Sequence, residues 1–133
     1  MNLIPAYKAS SEQIEHFLKN NPNVNQESLL RKGYVVELRG EIEGCFILEE
    51  MEEGTYWLKQ LYITQSEAAH LPVLLESILL MAKQQHAERV YVHSHQPVVD
   101  ILLEALQFHP QKEKVFVDKY DKSNGNWWLY HVS

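Results

Sequence analysis

The feature that most constrains the fold is the segment LYITQSEAAHLPVLLESILLMAKQQHAERVYV, at residues 61–92. It begins with a short strand-like run, passes through a polar loop into a long apolar helix pattern, and ends in a second strand-like run. Two strands of one sheet that are joined by a crossover helix run parallel to each other. The segment therefore predicts one parallel strand pair.

The residues before this segment predict strands that pair in the antiparallel sense. YVVEL, EGCFILEE and TYWLKQLYI, at 34–38, 43–50 and 55–63, are separated by the turn residues Arg39-Gly40 and Gly54. LIPAYK at 3–8 is a candidate first strand, and SSEQIEHFLKN at 10–20 and QESLLRKG at 26–33 are predicted helices. An antiparallel meander therefore leads into the parallel pair.

The residues after the segment predict one helix and a hairpin. Pro97 fits the first turn of a helix that continues through VVDILLEALQF, with Asp100, Glu104 and Gln107 as its polar stripe. EKVFVDKY at 113–120 and NWWLYHV at 126–132 flank the turn residues Ser123-Asn124-Gly125. Trp127 and Trp128 point to opposite faces of that second strand, so we expect at least one of them to be exposed or to lie at an interface.

Nothing in the sequence marks a linker or a repeat, so we expect a single domain over residues 1–133. The helix of residues 71–86 carries a narrow polar stripe, which predicts burial on most of its circumference. Its apolar stretch contains Glu76 and is shorter than the roughly 20 residues that cross a bilayer. We therefore expect a cytoplasmic protein with no membrane contact.

Charge and cysteine content narrow the function classes. The chain has 12 basic and 18 acidic residues, a net charge of −6, and no basic stripe of the kind that binds nucleic acid. Its single cysteine, Cys45, lies in the apolar run CFIL, so no intrachain disulfide forms and a buried thiol is expected. Nucleic acid is therefore not an expected partner.

This element order resembles the GNAT superfamily of acyl-CoA-dependent N-acetyltransferases, most strongly from Tyr34 to Phe108. The family has a strand that ends in a triplet similar to Leu61-Tyr62-Ile63, followed by a phosphate loop and a helix with an LL…A pattern. That pattern is present here as Leu74, Leu75 and Ala82. The resemblance implies an α/β (α+β) fold with a mixed, mainly antiparallel twisted sheet, one splayed parallel strand pair, and helices on both faces.

The resemblance also implies a function. It implies that the cofactor is acetyl-CoA and that an amine, either a small molecule or a peptide, attacks the acetyl group directly; a homo-oligomer is left open. The positions that correspond to the family's cofactor contacts are Leu61, Tyr62, Ile63, Ala68, Ala69, His70, Leu71 and Gln96. The contacts of the first three would be made by backbone groups, which tolerate changes of side chain.

Several positions depart from the family pattern. The loop of residues 64–73 lacks the Gln/Arg-x-x-Gly-x-Gly/Ala motif, and Gln96, Leu103 and Gln107 stand where the family has asparagine, tyrosine and glycine. Pro72 removes a backbone donor, Glu67 places a carboxylate near the expected phosphates, and no Lys or Arg lies between residues 60 and 81. These departures favour an alternative: an inactive binding or regulatory module.

The motif His93-Ser94-His95 supplies the candidate catalytic groups. Residues two apart on a strand share a face, so both imidazoles can serve as general base, or simply lie at a strand end. Zinc needs three or four ligands and the neighbouring sequence supplies no more, so we predict no metal site. Tyr62 and Tyr91, on the two parallel strands, are the candidates to replace the missing proton donor.

Overall fold

A computed structural model describes residues 1–111 and 126–132 of the chain. In chain order the elements are β1 Asn2–Pro5, α1 Ser11–Asn20, α2 Gln26–Lys32, β2 Gly33–Leu38, β3 Glu41–Glu52, β4 Thr55–Ile63, α3 Leu71–Gln84, β5 Arg89–Ser94, α4 Pro97–Ala105, β6 His109–Pro110 and β7 Asn126–His131. Two 3₁₀ helices, Ala6–Lys8 and Gln65–His70, complete the described part.

The sheet confirms the predicted fold class. Its strand order is β1-β2-β3-β4-β5-β7-β6, mostly antiparallel, with β4 and β5 as the parallel pair. The predicted hairpin is described only in its second strand, because residues 112–125 lie outside the described residues. The helix starts follow from capping, since Ser10 Oγ accepts from Gln13 N at 3.4 Å and Asn25 Oδ1 accepts from Ser28 N at 3.0 Å.

The described chain forms two compact units, and the first comprises Met1–Glu49 and Leu58–Leu75. Here β1 pairs with β2 and β2 with β3, with a register shift between Val36 and Glu37. The apolar faces of α1 and α2 supply much of this unit's core, which contains Ala6, Ile14, Phe17, Leu29, Val35, Ile42 and Cys45. Cys45 is fully buried, as predicted.

The second unit comprises Glu50–Trp57 and Glu76–Ser133. The carbonyl of Gly54 accepts from Glu88 N at 2.7 Å and from Arg89 N at 3.0 Å, which attaches the start of β5 beside the start of β4. β5 pairs antiparallel with β7, with His93 opposite Trp127. The expectation of one domain over residues 1–133 stays a prediction.

Two expectations about burial are wrong. Val73 and Leu80 of α3 are 53% and 57% exposed, so this helix is not buried on most of its circumference. In α4, Val98 and Ile101 are exposed, whereas Asp100 is half-buried and accepts a hydrogen bond of 2.8 Å from Trp128 Nε1. Periodicity defines a helix face but not the neighbour that covers it.

The second wrong expectation concerns the tryptophan pair. Trp127 and Trp128 are 3% and 6% exposed, so neither lies at the surface. Trp128 is held by the carboxylate of Asp100, and the ring of Trp127 stacks on that of His93 with centroids 4.8 Å apart. Both sides of this strand are therefore covered.

Candidate functional site

Strand β4 is interrupted by a residue with a left-handed backbone. Gln60 has φ 51°, a region that non-glycine residues rarely occupy, and this breaks the pleat as a β-bulge does. Two neighbours hold it in place: Cys45 Sγ donates to its carbonyl at 3.7 Å, and Asn25 N donates to its Oε1 at 3.2 Å. The irregularity is therefore supported by both α2 and β3.

The residues after Gln60 are the predicted backbone-binding triplet, and the structure holds them tightly. A Cβ atom on Gly44 would lie 2.6 Å from the carbonyl oxygen of Tyr62, so glycine is required at this close approach of β3 and β4. Thr64 N donates to Glu43 O at 2.8 Å just beyond the triplet. Leu61, Tyr62 and Ile63 are each half-buried, so this segment is packed against β3 and still partly accessible.

The loop that should hold phosphate is wound into the 3₁₀ helix Gln65–His70, which leads directly into α3. In such a helix each N–H bonds to a carbonyl three residues earlier, as Glu67 N does to Thr64 O at 3.0 Å. Ala68 and Ala69 are exposed, and His70 and Leu71 are half-buried. The predicted loop residues therefore lie in one turn, with part of their donors used internally.

Glu67 is buried and forms an ion pair with Arg39 Nη2. The sequence shows no Lys or Arg between residues 60 and 81 to offset this carboxylate, and the structure supplies the cation from outside that segment, because Arg39 reaches Glu67 from the β2–β3 turn. Arg39 is the functional candidate that sequence reasoning missed. The one available signal was its position before Gly40 in a two-residue turn, where Asn, Asp or Gly is usual.

In the second unit, an aromatic cluster gathers three of the four catalytic candidates. The rings of His93 and His95 lie 4.4 Å apart between centroids, and those of Tyr91 and Trp127 lie 6.4 Å apart. His95 is exposed, whereas His93 and Tyr91 are half-buried. The exposed imidazole of His95 can accept a proton from a substrate that approaches from solvent, and the neighbouring imidazole of His93 can help to hold it.

Tyr62, the fourth candidate, belongs to the first unit, where its ring packs edge-on against Phe17 at 5.9 Å. The described residues contain no group of three His, Cys, Asp or Glu side chains placed to hold a metal ion. None of the helices in the described part is long and apolar enough to cross a membrane.

Comparison by sequence finds no similar known protein, whereas comparison by structure finds several. Neither a protein-family model nor a curated protein matches the sequence. A Staphylococcus aureus acetyltransferase of the GNAT family matches in structure with a TM-score of 0.70 at 16% identity, over 99% of both chains. The Campylobacter jejuni N-acetyltransferase PseH, solved with acetyl coenzyme A, matches with a TM-score of 0.75 at 16% identity, again over 99% of both chains.

A third match has a different extent. N-acetylglutamate synthase from Neisseria gonorrhoeae, solved with coenzyme A and N-acetyl-glutamate, matches with a TM-score of 0.72 at 14% identity. This match covers 99% of the present chain but only 35% of the synthase. The present chain has the GNAT fold. At these identities the backbone is shared while site residues need not be.

The GNAT positions that depart from the family pattern have definite structural roles here. Gln96 is the N-cap residue of α4 without a side-chain cap bond; instead its backbone N–H donates to Ser94 Oγ at 3.3 Å. Leu103, which the sequence resemblance predicts to stand at the family's tyrosine position, is fully buried and is therefore a packing residue. Gln107 has φ 75°, so it adopts the left-handed backbone that the GNAT glycine would provide.

Proposed function

We propose that this protein binds acetyl-CoA and transfers its acetyl group to an amine. The observation that carries this proposal is the GNAT fold, shared along nearly the whole chain with an N-acetyltransferase solved with acetyl coenzyme A. Fold alone does not specify chemistry, so the proposal also rests on the parts of this chain that suit the cofactor.

The strongest of these parts is the end of β4. In the proposal the pantetheine arm lies along Leu61, Tyr62 and Ile63 and bonds to their backbone groups, as an added strand does. This recognition needs a firmly held backbone rather than particular side chains. The support of Gln60 by Asn25 and Cys45 provides such a backbone.

The phosphates of the cofactor are assigned to the turn that contains Ala68, Ala69, His70 and Leu71. The two alanines are exposed and small, so a phosphate can approach the backbone closely. Gln96, the N-cap residue of α4 in the second unit, stays a predicted cofactor contact because it stands where the family has asparagine.

The proposed chemistry is a direct transfer. The amine nitrogen attacks the thioester carbonyl carbon, the tetrahedral intermediate expels the CoA thiolate, and the attacking nitrogen loses a proton. His95, with His93 behind it, is the candidate base, because histidine changes protonation near neutral pH. Tyr62 and Tyr91 are the candidates to protonate the thiolate. The acceptor is assigned only as a small-molecule or peptide amine.

A second function is supported by two specific observations. The segment predicted to hold phosphate contains no glycine and is the 3₁₀ helix Gln65–His70, and Leu103, at the predicted position of the family's tyrosine, is buried. A GNAT-fold module that binds a ligand or partner without turnover would have these features. Location in the cytoplasm and self-association stay predictions under either function.

Calorimetric titration of acetyl-CoA and CoA, with ATP as a control for general phosphate binding, tests the proposal. Saturable micromolar binding of both CoA species, followed by thiol release with a panel of amines, would support the acetyltransferase. Binding without thiol release for any amine would favour the binding module. Absence of binding at millimolar ligand would reject the cofactor role.

A further inference from the structure

We propose that Arg39 is a phosphate-binding residue that replaces the missing glycine-rich loop. This inference rests on the proposed function in that the phosphates are those of acetyl-CoA, and it concerns the first compact unit alone. It begins from the ion pair that joins Arg39, in the β2–β3 turn, to Glu67 in the 3₁₀ helix.

The backbone of Arg39 lies in the left-handed region. Arg39 and Gly40 have φ 52° and 81°, so both central residues of this hairpin turn are left-handed. A long side chain at such a position is unfavourable relative to Asn, Asp or Gly, and strain of this kind points to a functional constraint. The turn is fixed from outside, because Gln13 Nε2 donates to Gly40 O at 3.1 Å.

The guanidinium group of Arg39 is largely exposed, whereas the carboxylate that it contacts is buried. The side chain of Arg39 is 69% exposed, whereas that of its partner Glu67 is 7% exposed. Guanidinium has five N–H donors in a planar fork, and the contact with Glu67 is made through Nη2. The buried carboxylate therefore orients the arginine, and the remaining donors face solvent.

The segment that contains the 3₁₀ helix has no Lys or Arg of its own. Residues 61–80 contain neither, so Arg39 supplies from the β2–β3 turn the cation that this segment lacks. Ala68 and Ala69, which directly follow Glu67, are exposed and small. A phosphate at this turn would meet an oriented guanidinium group, the geometry that favours charge-assisted hydrogen bonds.

Two roles must be separated: Arg39 either contacts phosphate directly or only holds the 3₁₀ helix in place through Glu67. The substitution Glu67→Gln distinguishes them because it removes the competing carboxylate while keeping its shape. Direct contact predicts that Glu67→Gln strengthens acetyl-CoA binding several-fold, since a like charge is removed while the amide oxygen of glutamine can still accept from Arg39 and orient it. A purely structural ion pair predicts weaker binding.

The deciding comparison is made in the Glu67→Gln background, where no ion pair remains to be broken. Adding Arg39→Gln there should weaken binding of acetyl-CoA and of inorganic pyrophosphate about tenfold or more, the usual effect of losing one charged hydrogen bond. Binding of acetyl-pantetheine, which has no phosphate, should not change. Arg31→Gln, at an exposed arginine of α2, controls for net charge.

Each outcome is decisive. Loss of acetyl-CoA and pyrophosphate binding with Arg39→Gln, but not with Arg31→Gln, supports the inference. Arg39-dependent binding of pyrophosphate without any acetyl-CoA binding would keep Arg39 as a phosphate ligand and reject the proposed function. Two outcomes would overturn the inference and leave the proposed function standing. In one, acetyl-CoA binds equally with and without Arg39. In the other, Arg39→Gln weakens binding of acetyl-pantetheine as well as of acetyl-CoA. Absence of binding by either phosphate ligand would overturn both.

Discussion

The indole N–H of Trp128 donates a 2.8 Å hydrogen bond to the carboxylate of Asp100, and Asn126 Nδ2 donates to the same carboxylate at 3.1 Å. Partial burial acts to raise the pKa of Asp100, but hydrogen bonds from Ser94, Trp128 and Asn126 outweigh it and hold the pKa below its ordinary value. The ionised form is therefore the one that joins α4 to β7.

We expect Asp100→Asn to lower the free energy of unfolding by about 1–2 kcal/mol at pH 7, the cost of weakening hydrogen bonds to a charged acceptor. Because the folded pKa is depressed, this contribution is present above the unfolded pKa and is lost as pH falls through the folded pKa. Urea unfolding at pH 7 and at progressively lower pH, with the exposed Glu104→Gln as control, measures it. An equal deficit at all pH values would contradict the role of the charge.

Substitution of the left-handed Gln107 by glycine is expected to raise the free energy of unfolding rather than lower it. Its φ is 75°, and Phe108 N closes the end of α4 by donating to Leu103 O at 2.9 Å. Gln107→Gly should raise stability by about 0.5–1 kcal/mol, because relief of the left-handed strain exceeds the entropic cost of glycine. Glu104→Gly, inside the helix, should lower stability by about 1 kcal/mol. Equal losses in both variants would argue against strain at residue 107.

The elements most predictable from sequence were those with strong local signals. TYWLKQLYI was bounded by Gly54 and a polar loop, and the strand spans residues 55–63 as predicted. The Leu71 start of α3 and the Pro97 start of α4 were predicted for the same reason, because helix initiation depends on adjacent residues.

The features that sequence did not reveal depend on contacts between distant residues. Nothing around Gln60 signals a left-handed residue in a strand, because its conformation is supported by Asn25 and Cys45 from other elements. The Arg39–Glu67 pair likewise joins residues 28 positions apart. Tertiary contacts of this kind override local propensity, and they lie in the candidate site itself.

Cys45 gives a direct test of the buried surroundings of the bulge. Burial raises the pKa of its thiol to about 12. At pH 8 the thiolate, which is the reactive form, is therefore scarce, and labelling by a disulfide reagent should be about a thousandfold slower than in the urea-unfolded chain. Since Cys45 is the only cysteine, the reaction reports on this site alone. Rapid labelling of the native protein would show that the thiol beside Gln60 is accessible.

Gly44 tests the close approach that fixes the proposed backbone-binding triplet. A Cβ at residue 44 would lie 2.6 Å from Tyr62 O, so Gly44→Ala must displace β4, with an expected loss of about 2 kcal/mol or more. Gly54→Ala is the control, because this turn glycine has φ 76°, lies in the second unit, and its Cβ would meet the side chain of Glu88 at 3.0 Å rather than backbone. We expect calorimetry to show weaker acetyl-CoA binding for Gly44→Ala and unchanged binding for Gly54→Ala. The reverse order would remove the triplet from the proposed site.

The histidine pair yields the prediction that separates catalysis from binding. If His95 accepts the proton of the amine, His95→Asn should lower kcat by about a hundredfold or more while leaving the affinity for acetyl-CoA unchanged. The dependence of kcat/KM on the protonation of a histidine should disappear with it.

His93, whose ring lies 4.4 Å from that of His95 and stacks on Trp127, is expected to act by positioning. His93→Asn should therefore reduce kcat less while the pH dependence remains. His16→Asn, at an exposed histidine of α1, is the control. Retention of full activity by His95→Asn would transfer the role of base to another group.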